Sequence, residues 1–279
     1  MLARQRRPSQ KLRGKTVAMI FQKPSTRTRA SFETAIAQLG GHPMYLSWNE
    51  MQLGRGETIH DTSKVLDCYV DAMMARVFSH DDLEELAKHA NAPIINGLSD
   101  KHHPCQILAD LLTLLQHKRR LKGLKLAYVG DGNNVCNSLL IGCAQTGVNI
   151  TVASPRNYQP DKEAIEQAKE IARETSARII IAEDPEEAVR DSDAVYTDTF
   201  VSMGMEKERE DRLKTFLPKY QVNEKLFSLA KRGAVFMHCL PAHRGEEVTS
   251  QVIDGPDSAV WDEAENRLHS SKALLTLLL

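Results

Sequence analysis

Short apolar runs alternate with amphipathic helical patterns along the whole chain of 279 residues. Runs rich in Val, Ile and Ala, such as VAMIF at 17–21 and VNITVA at 148–153, are each followed by apolar residues at helical spacing. This alternation predicts an α/β protein with two domains, each a mainly parallel sheet flanked by helices, joined by interdomain helices. Strands are predicted near 15–21, 43–47, 71–78, 93–97, 148–153, 178–182, 194–197 and 234–238.

The predicted helix at 104–118 carries one apolar stripe and runs into the polar segment HKRRLKG, after which a second α/β pattern begins. We therefore predict a first domain at 1–118 and a second at 119–260. Residues 261–279 are helical in composition and end on three leucines, which must pack on something. We expect this helix to return to the first domain; an oligomer contact is the alternative.

The composition argues against several classes of function. Lys plus Arg (36) nearly balance Asp plus Glu (37), so no overall field favours nucleic acid or an anionic membrane as a partner. Five cysteines without a C-x-x-C pair suit a reducing compartment, and no run of about 18 apolar residues is present. We expect a soluble cytoplasmic protein.

The segment STRTR at 25–29 lies between a predicted buried strand and a predicted helix. Helix N-termini carry partial positive charge, so Arg27 and Arg29 are unfavourable there unless an anion is bound. Hydroxyl, guanidinium and backbone N–H donors together are the combination that holds a phosphate. The alternative is a plain Ser25 N-cap with both arginines in solvent.

Further polar groups follow strands or begin helices. Arg76 stands among apolar neighbours and needs an anionic or carbonyl partner. His103 and Gln106 flank the start of the 104–118 helix, and Cys239 ends a buried strand. In the second domain, candidates at the carboxyl edge of the sheet are Asn133, Asn134, Asp198 and Ser202. Taken singly, helix caps, inert packing and ordinary turns explain these residues as well.

Taken together, the motifs resemble the transcarbamylases, and within them the ornithine carbamoyltransferases. The motifs are STRTR at 25–29, ARVF at 75–78, HPCQ at 103–106, GDGNN at 130–134, D-x-x-x-SMG at 198–204 and HCLP at 238–241. They occur in family order and spacing, from about residue 13 to the end. The SMG element is the feature that separates the ornithine enzymes from their aspartate and putrescine relatives.

The resemblance implies transfer of the carbamoyl group from carbamoyl phosphate to the δ-amine of L-ornithine, without metal or organic cofactor. It assigns catalysis to Arg76, His103, Asp198 and Cys239, and ornithine binding to Asn134, Asp198, Ser202 and Met203. The residues implied for carbamoyl phosphate are Ser25, Thr26, Arg27, Thr28, Gln52, Arg76, His103, Gln106, Cys239, Leu240 and Arg267. Arg29 belongs to the motif with a structural role.

The resemblance also implies a homo-oligomer, a trimer or a multiple of trimers, in which each site is completed by a loop of the neighbouring subunit. That loop is SWNEMQLGRGE, and Gln52 is its matching phosphate contact. Most of the family carries roughly 30 residues before the first strand, an ordinary helix plus loop, which we expect to be lacking here.

Other functions remain open to the same residues. GDGNNV after a strand fits a dinucleotide-binding dehydrogenase poorly, because the third small residue and the ribose-binding acid are missing. A metal site or hydrolase built on Cys239 and nearby histidines lacks the usual spacings. A carbamoyltransferase for another amine and a truncated inactive homologue are the remaining alternatives.

Overall fold

The computed structural model describes residues 10–202 and 204–279. Its contacts divide the chain into two compact units. The first unit comprises the residues up to Cys105 together with Arg267–Leu279, and the second comprises Gln106–Asn266. Helices α4 (Pro104–Lys118) and α11 (Val260–Leu278) each contribute residues to both units. The predicted fold class is confirmed, because each unit is built on a parallel sheet flanked by helices.

The first unit holds a four-stranded parallel sheet in the order β2-β1-β3-β4. Its strands are β1 (Thr16–Phe21), β2 (His42–Ser47), β3 (Ala72–Arg76) and β4 (Ile94–Leu98). Its helices, besides parts of α4 and α11, are α1 (Thr26–Gln38), α2 (Ile59–Asp67) and α3 (His80–His89). One face of the sheet packs on Phe32 and Ile36 of α1, and the other on Leu66 of α2 and Leu86 of α3.

The strand register of the first unit sets where its polar segments meet. Phe21 pairs with both Ser47 and Arg76, and Arg76 pairs with Leu98. The four strands therefore end at one edge, where the segment before α1, Arg76 and the segment leading to α4 emerge together.

The second unit holds a five-stranded parallel sheet in the order β7-β6-β5-β8-β9. Its strands are β5 (Lys125–Val129), β6 (Asn149–Ala153), β7 (Ile179–Ala182), β8 (Ala194–Thr197) and β9 (Val235–Met237). Its further helices are α5 (Asn134–Thr146), α6 (Lys162–Thr175), α7 (Pro185–Val189), α8 (Arg209–Phe216), α9 (Glu224–Phe227) and α10 (Ser250–Ile253). The chain order reverses between β5 and β8, which is where open α/β sheets bind ligands.

The predicted strands are confirmed to within about two residues, and the helix at 104–118 is observed with those bounds. β3 ends at Arg76 rather than at 78, because the β3–β4 register shifts at Ala75/Arg76. The contacts assign Gln106–Lys118 to the second unit, since Ile107 and Leu114 are buried in its core. Arg267–Leu279 belongs to the first unit, where Leu275 is fully buried. No helix within the described ranges is long and apolar enough to cross a membrane.

Candidate functional site

In the first unit, helix α1 begins at Ser25, whose side-chain oxygen accepts a hydrogen bond from the Thr28 backbone N–H at 3.3 Å. The first turn holds no acidic residue to balance the positive end of the helix. Thr28 is buried, whereas Thr26 is exposed and Ser25 and Arg27 are half-buried. The helix start is therefore capped by Ser25 but keeps its positive charge.

The two arginines of the STRTR motif have different surroundings. Arg29 is exposed; its Nε donates to Glu33 Oε1 at 2.9 Å, and its guanidinium stacks 3.7 Å from the centre of the Tyr45 ring. Arg27 acts electrostatically on His103. Arg29 therefore has local structural partners, while Arg27 belongs to a group of cationic side chains.

That group surrounds His103 at the carboxyl edge of the sheet. His103 is 5% exposed, Arg76 9% and Arg267 3%. Burial lowers the pKa of His103 well below its ordinary value, and the charges of Arg267, Arg76 and Arg27 lower it further. The imidazole is therefore neutral, and it stands among three guanidinium groups.

Thr28 and Lys23 adjoin the arginine cluster. Thr28 Oγ1 accepts a hydrogen bond from Arg267 Nη2 at 3.2 Å, which links α11 to the start of α1. Burial lowers the pKa of Lys23, and Arg76 lowers it further. The segment before α1, the first turn of α1, the end of β3 and helix α11 each supply a cation. The segment before α4 supplies the neutral imidazole, and the arrangement is suited to a doubly charged anion.

Gln52 lies elsewhere in the first unit. It is exposed, in a 3-10 helix at Gln52–Arg55 that follows β2. Its backbone carbonyl accepts from the Glu57 N–H at 3.1 Å, so the turn is locally held while the side chain faces solvent.

In the second unit, Asp198 and Cys239 meet at the carboxyl ends of β8 and β9. Cys239 Sγ donates to Asp198 Oδ1 at 3.1 Å, and Asn133 Nδ2 donates to Asp198 Oδ2 at 2.8 Å. Burial raises the pKa of the Cys239 thiol well above its ordinary value, and the Asp198 carboxylate raises it further. The cysteine is therefore a protonated hydrogen-bond donor at neutral pH.

Helix α5 begins beside this pair. Asn133 caps it, accepting at Oδ1 from the N–H groups of Val135 at 3.0 Å and Cys136 at 3.2 Å. Asn134 is the first helical residue and is half-buried. Of the two asparagines in GDGNN, Asn133 thus serves as the N-cap of α5, whereas the side chain of Asn134 has no part in that cap.

The loop after Asp198 is anchored by Arg212 of α8. Arg212 Nε donates to the Phe200 carbonyl at 2.7 Å, and the same guanidinium forms an ion pair with Asp131. Burial raises the pKa of Asp131 to about 7 despite that pair. Ser202 is half-buried in this loop, and Met203 lies outside the described residues. Sequence analysis missed Arg212, because a basic residue in KEREDRLK looks like a solvated helix face.

Gln106 takes part in a buried network of the second unit. Its Nε2 donates to Asp110 Oδ1 and to Glu263 Oε1, each at 2.8 Å. Glu263 Oε2 accepts from the backbone N–H of His238 at 3.0 Å. Sequence analysis also missed Asp110 and Glu263. Asp110 is the single acid of α4, which was the available signal for it, whereas nothing distinguishes Glu263 from its acidic neighbours.

The HCLP segment bends sharply after β9. Leu240 has φ of +57°, a left-handed conformation that is unfavourable for a residue with a Cβ. His238 Nδ1 accepts from the Leu240 N–H at 2.8 Å, and His238 Nε2 donates to Glu247 Oε1 at 3.2 Å. The imidazole tautomer and the bend are thus fixed together.

Among the residues that the structure describes, two groups of side chains have metal-ligand atoms within 4.8 Å of one another. One is Asp198, His238 and Cys239, and the other is His243, Glu246 and Glu247. In the first group, both His238 nitrogens and the Cys239–Asp198 pair are engaged in hydrogen bonds. In the second, Glu246 is paired with Arg209. The ligand atoms of the first group thus already have protein partners.

The fold is that of a two-domain α/β protein, and its first unit carries a cationic cluster suited to an anion. Residues 1–116 match the family model for the aspartate/ornithine carbamoyltransferase carbamoyl-P binding domain, and residues 122–278 match that for the Asp/Orn binding domain. The chain therefore belongs to the aspartate/ornithine carbamoyltransferase family.

Individual relatives agree with the family models. The ornithine carbamoyltransferase of Pyrococcus horikoshii is 58% identical over 273 residues, which cover 98% of this chain and 86% of the relative. That of Bacillus subtilis is 58% identical over 266 residues, which cover 95% of this chain and 83% of the relative. The solved structure of ornithine carbamoyltransferase from Pyrococcus furiosus is similar, with a TM-score of 0.94 at 56% identity. The match covers 97% of this chain and 86% of that structure.

Proposed function

We propose that this chain transfers the carbamoyl group of carbamoyl phosphate to the δ-amine of L-ornithine, giving L-citrulline and phosphate. The observation that carries the proposal is the cluster of Arg27, Arg76 and Arg267 around a neutral His103, beside a helix start without an acid. Such a cluster is suited to a multiply charged anion, and the donor substrate supplies a phosphate dianion.

The phosphate is held by the STRTR segment, through Ser25, Thr26, Arg27 and Thr28, with Gln52 as a further contact. Arg267 supports this site through its hydrogen bond to Thr28. Arg29 is not among the phosphate contacts, since Glu33 and Tyr45 already hold its guanidinium.

Catalysis rests on donors to the carbamoyl carbonyl oxygen, which gains negative charge as the amine attacks. Thr28, Arg76 and His103 serve as these donors. The lowered pKa of His103 keeps it a neutral donor whose hydrogen bond strengthens in the tetrahedral intermediate. Loss of one such donor typically lowers kcat by about 10²–10³. The acceptors for the carbamoyl NH2 are Gln106 and the backbone carbonyls of Cys239 and Leu240.

Ornithine is bound by Asn134, Asp198, Ser202 and Met203. Its δ-amine, with an ordinary pKa of about 10.4, must lose a proton before it can attack. The amine nitrogen then bonds to the carbamoyl carbon, the carbon–oxygen bond to phosphate breaks, and the second amine proton is released. Asp198 and Cys239 lie beside the reacting amine, where the protonated thiol orients Asp198 and does not act as a nucleophile.

We also propose a homotrimer, or a multiple of trimers, in the cytoplasm. An exposed Gln52 in a loop after β2 is compatible with delivery of that side chain to a neighbouring subunit. All five cysteines carry free thiols, as expected in a reducing compartment. Native mass measurement gives the subunit number directly.

The test of the reaction is an acceptor comparison. Purified protein is incubated with carbamoyl phosphate and, separately, ornithine, aspartate or putrescine, and the carbamoylated products are separated and quantified. We expect citrulline to form far faster than the other two products. Carbamoylputrescine or carbamoylaspartate in the absence of citrulline would overturn the assignment of the acceptor, and no product at all would overturn the proposed activity.

A further inference from the structure

The side-chain amide of Gln106 has both of its hydrogens committed. Gln106 is 1% exposed, and its Nε2 donates one hydrogen to Asp110 Oδ1 and the other to Glu263 Oε1, each at 2.8 Å. A primary amide has two N–H donors and one carbonyl oxygen. The NH2 group of Gln106 is therefore turned towards the two carboxyl groups, and its carbonyl oxygen is turned away from them.

Rotating the amide by half a turn would be costly. It would bring the Gln106 carbonyl oxygen against two carboxyl groups and remove both hydrogen bonds in a buried site. Asp110 and Glu263 thus act as a lock on the orientation of the amide.

The same Glu263 carboxyl group also holds the segment that follows β9. Its Oε2 accepts from the His238 N–H at 3.0 Å, and its Oε1 also accepts from the Tyr196 hydroxyl at 3.3 Å. His238 in turn holds the Leu240 N–H through Nδ1. The carbonyls of Cys239 and Leu240 lie on the residues that this hydrogen bond fixes.

The charge state of the pair fits this role. Burial raises the pKa of Glu263 well above its ordinary value, and the hydrogen bond with Asp110 raises it further. Two buried carboxyl groups in contact cannot both ionise without a large electrostatic cost, so they share one proton. The pair thereby keeps enough acceptor atoms for the Gln106 amide with a single negative charge.

We propose that Glu263, assisted by Asp110, is the positioning residue that determines donor specificity: it holds one side-chain and two backbone carbonyls ready to accept from an NH2 group. The inference rests on the proposed function, because it concerns recognition of the carbamoyl end of the donor. A site of this kind rejects a ligand that has a methyl group in place of NH2, since the buried carbonyls would then lose their partners.

Glu263→Gln tests this role. The new amide offers one oxygen and one NH2 where the carboxyl group offers two acceptor oxygens. Either the Gln106 amide or the His238 N–H must then face a donor, so one of the three carbonyls is misplaced. Glu263→Asp is the second variant, which keeps the carboxyl group but is one methylene too short to meet both partners.

The matched control is Asp193→Asn. Asp193 also accepts from a backbone N–H, that of Lys125 at 2.8 Å, and pairs with Lys231 at 2.9 Å. It precedes β8, so it lies at the opposite edge of the same sheet. This variant measures what the loss of a structural carboxylate does to folding and binding in general.

The readout is the Kd, measured by calorimetry, of two stable phosphonates of equal charge. Phosphonoacetamide carries an NH2 group on its carbonyl carbon, and (2-oxopropyl)phosphonate carries a CH3 group at the same place. We expect the wild type and Asp193→Asn to prefer the amide, and the preference to fall by about tenfold in Glu263→Gln and Glu263→Asp. Inorganic phosphate, which lacks the NH2 group, should bind with an unchanged Kd to all four proteins. Melting temperatures confirm that each protein is folded.

The outcomes separate this inference from the proposed function. A folded Glu263→Gln or Glu263→Asp protein that keeps the wild-type preference for the amide would overturn the role of Glu263, even when the wild type makes citrulline. A parallel loss of phosphate binding would also overturn it, because the effect would then be general. A wild-type protein that shows the preference but makes no citrulline contradicts only the proposed activity.

Discussion

Replacing Arg27 by alanine should weaken anion binding without lowering the stability of the ligand-free protein. Arg27 lies in the first turn of α1, where a cation costs about 0.3–1 kcal/mol against the helix dipole. It also stands near Arg76 and Arg267, since all three lower the pKa of His103. Removing one of several like charges therefore relieves repulsion, and we expect the melting temperature without ligand to stay within about 2 °C of the wild type or to rise.

The effect on binding should be much larger. A hydrogen bond between charged groups contributes about 1.5–3 kcal/mol, so the Kd for inorganic phosphate should rise by about 10- to 100-fold. Phosphate at about 100 times the wild-type Kd stabilises the wild type by about 2.7 kcal/mol, whereas the same concentration should stabilise Arg27→Ala by only about 0.4–1.4 kcal/mol. Urea denaturation with and without phosphate measures both numbers.

Arg29→Ala is the control, because it removes the same side chain two residues along the same helix. It loses the Glu33 pair and the contact with Tyr45 and should cost a small amount of stability, while phosphate stabilisation stays at the wild-type value. The reasoning would be refuted by an Arg27→Ala protein that is clearly destabilised without ligand yet keeps the full phosphate effect. That result would make Arg27 a structural residue.

Two further predictions concern His103 and the assembly. The lowered pKa of His103 means that the unfolded chain takes up a proton near pH 6.5 when the folded protein does not, so stability falls as the pH drops below 6.5. Urea denaturation of His103→Gln should show a shallower fall, by up to about 1.4 kcal/mol per pH unit; equal slopes would mean that His103 protonates in the folded state. If Gln52 acts in a neighbouring subunit, the Arg27→Ala and Gln52→Ala proteins should complement each other. Under conditions in which each variant alone has little activity, unfolding and refolding an equal mixture of the two should restore about one quarter of the wild-type citrulline activity. Activity no higher than the sum of the two variants would place Gln52 in its own subunit's site.

Much of the fold could be predicted from the sequence, because strand and helix periodicities are local properties of the chain. The buried strands VAMIF and VNITVA and the helix at 104–118 are examples. The end of β3 was placed two residues too far along, since the register shift at Ala75/Arg76 depends on pairing with β4. The unit to which Gln106–Lys118 belongs likewise depends on packing against distant residues.

The same distinction between local and long-range properties applies to the candidate site. The sequence alone determined which residue types are available, because STRTR, HPCQ and HCLP each place their polar groups at a strand end or helix start within a few positions. It could not tell Arg27 from Arg29, because their difference arises from Glu33, Tyr45 and the cluster around His103.

Only the tertiary structure decided how these groups are held. Thr28 meets Arg267 across 239 positions of sequence, and Gln106 meets Glu263 across 157. A hydrogen bond depends on distance and direction in space, and neither is encoded in the spacing of residues so far apart. The local sequence therefore determined the chemistry that this protein has available, and long-range packing determined the direction in which each group points.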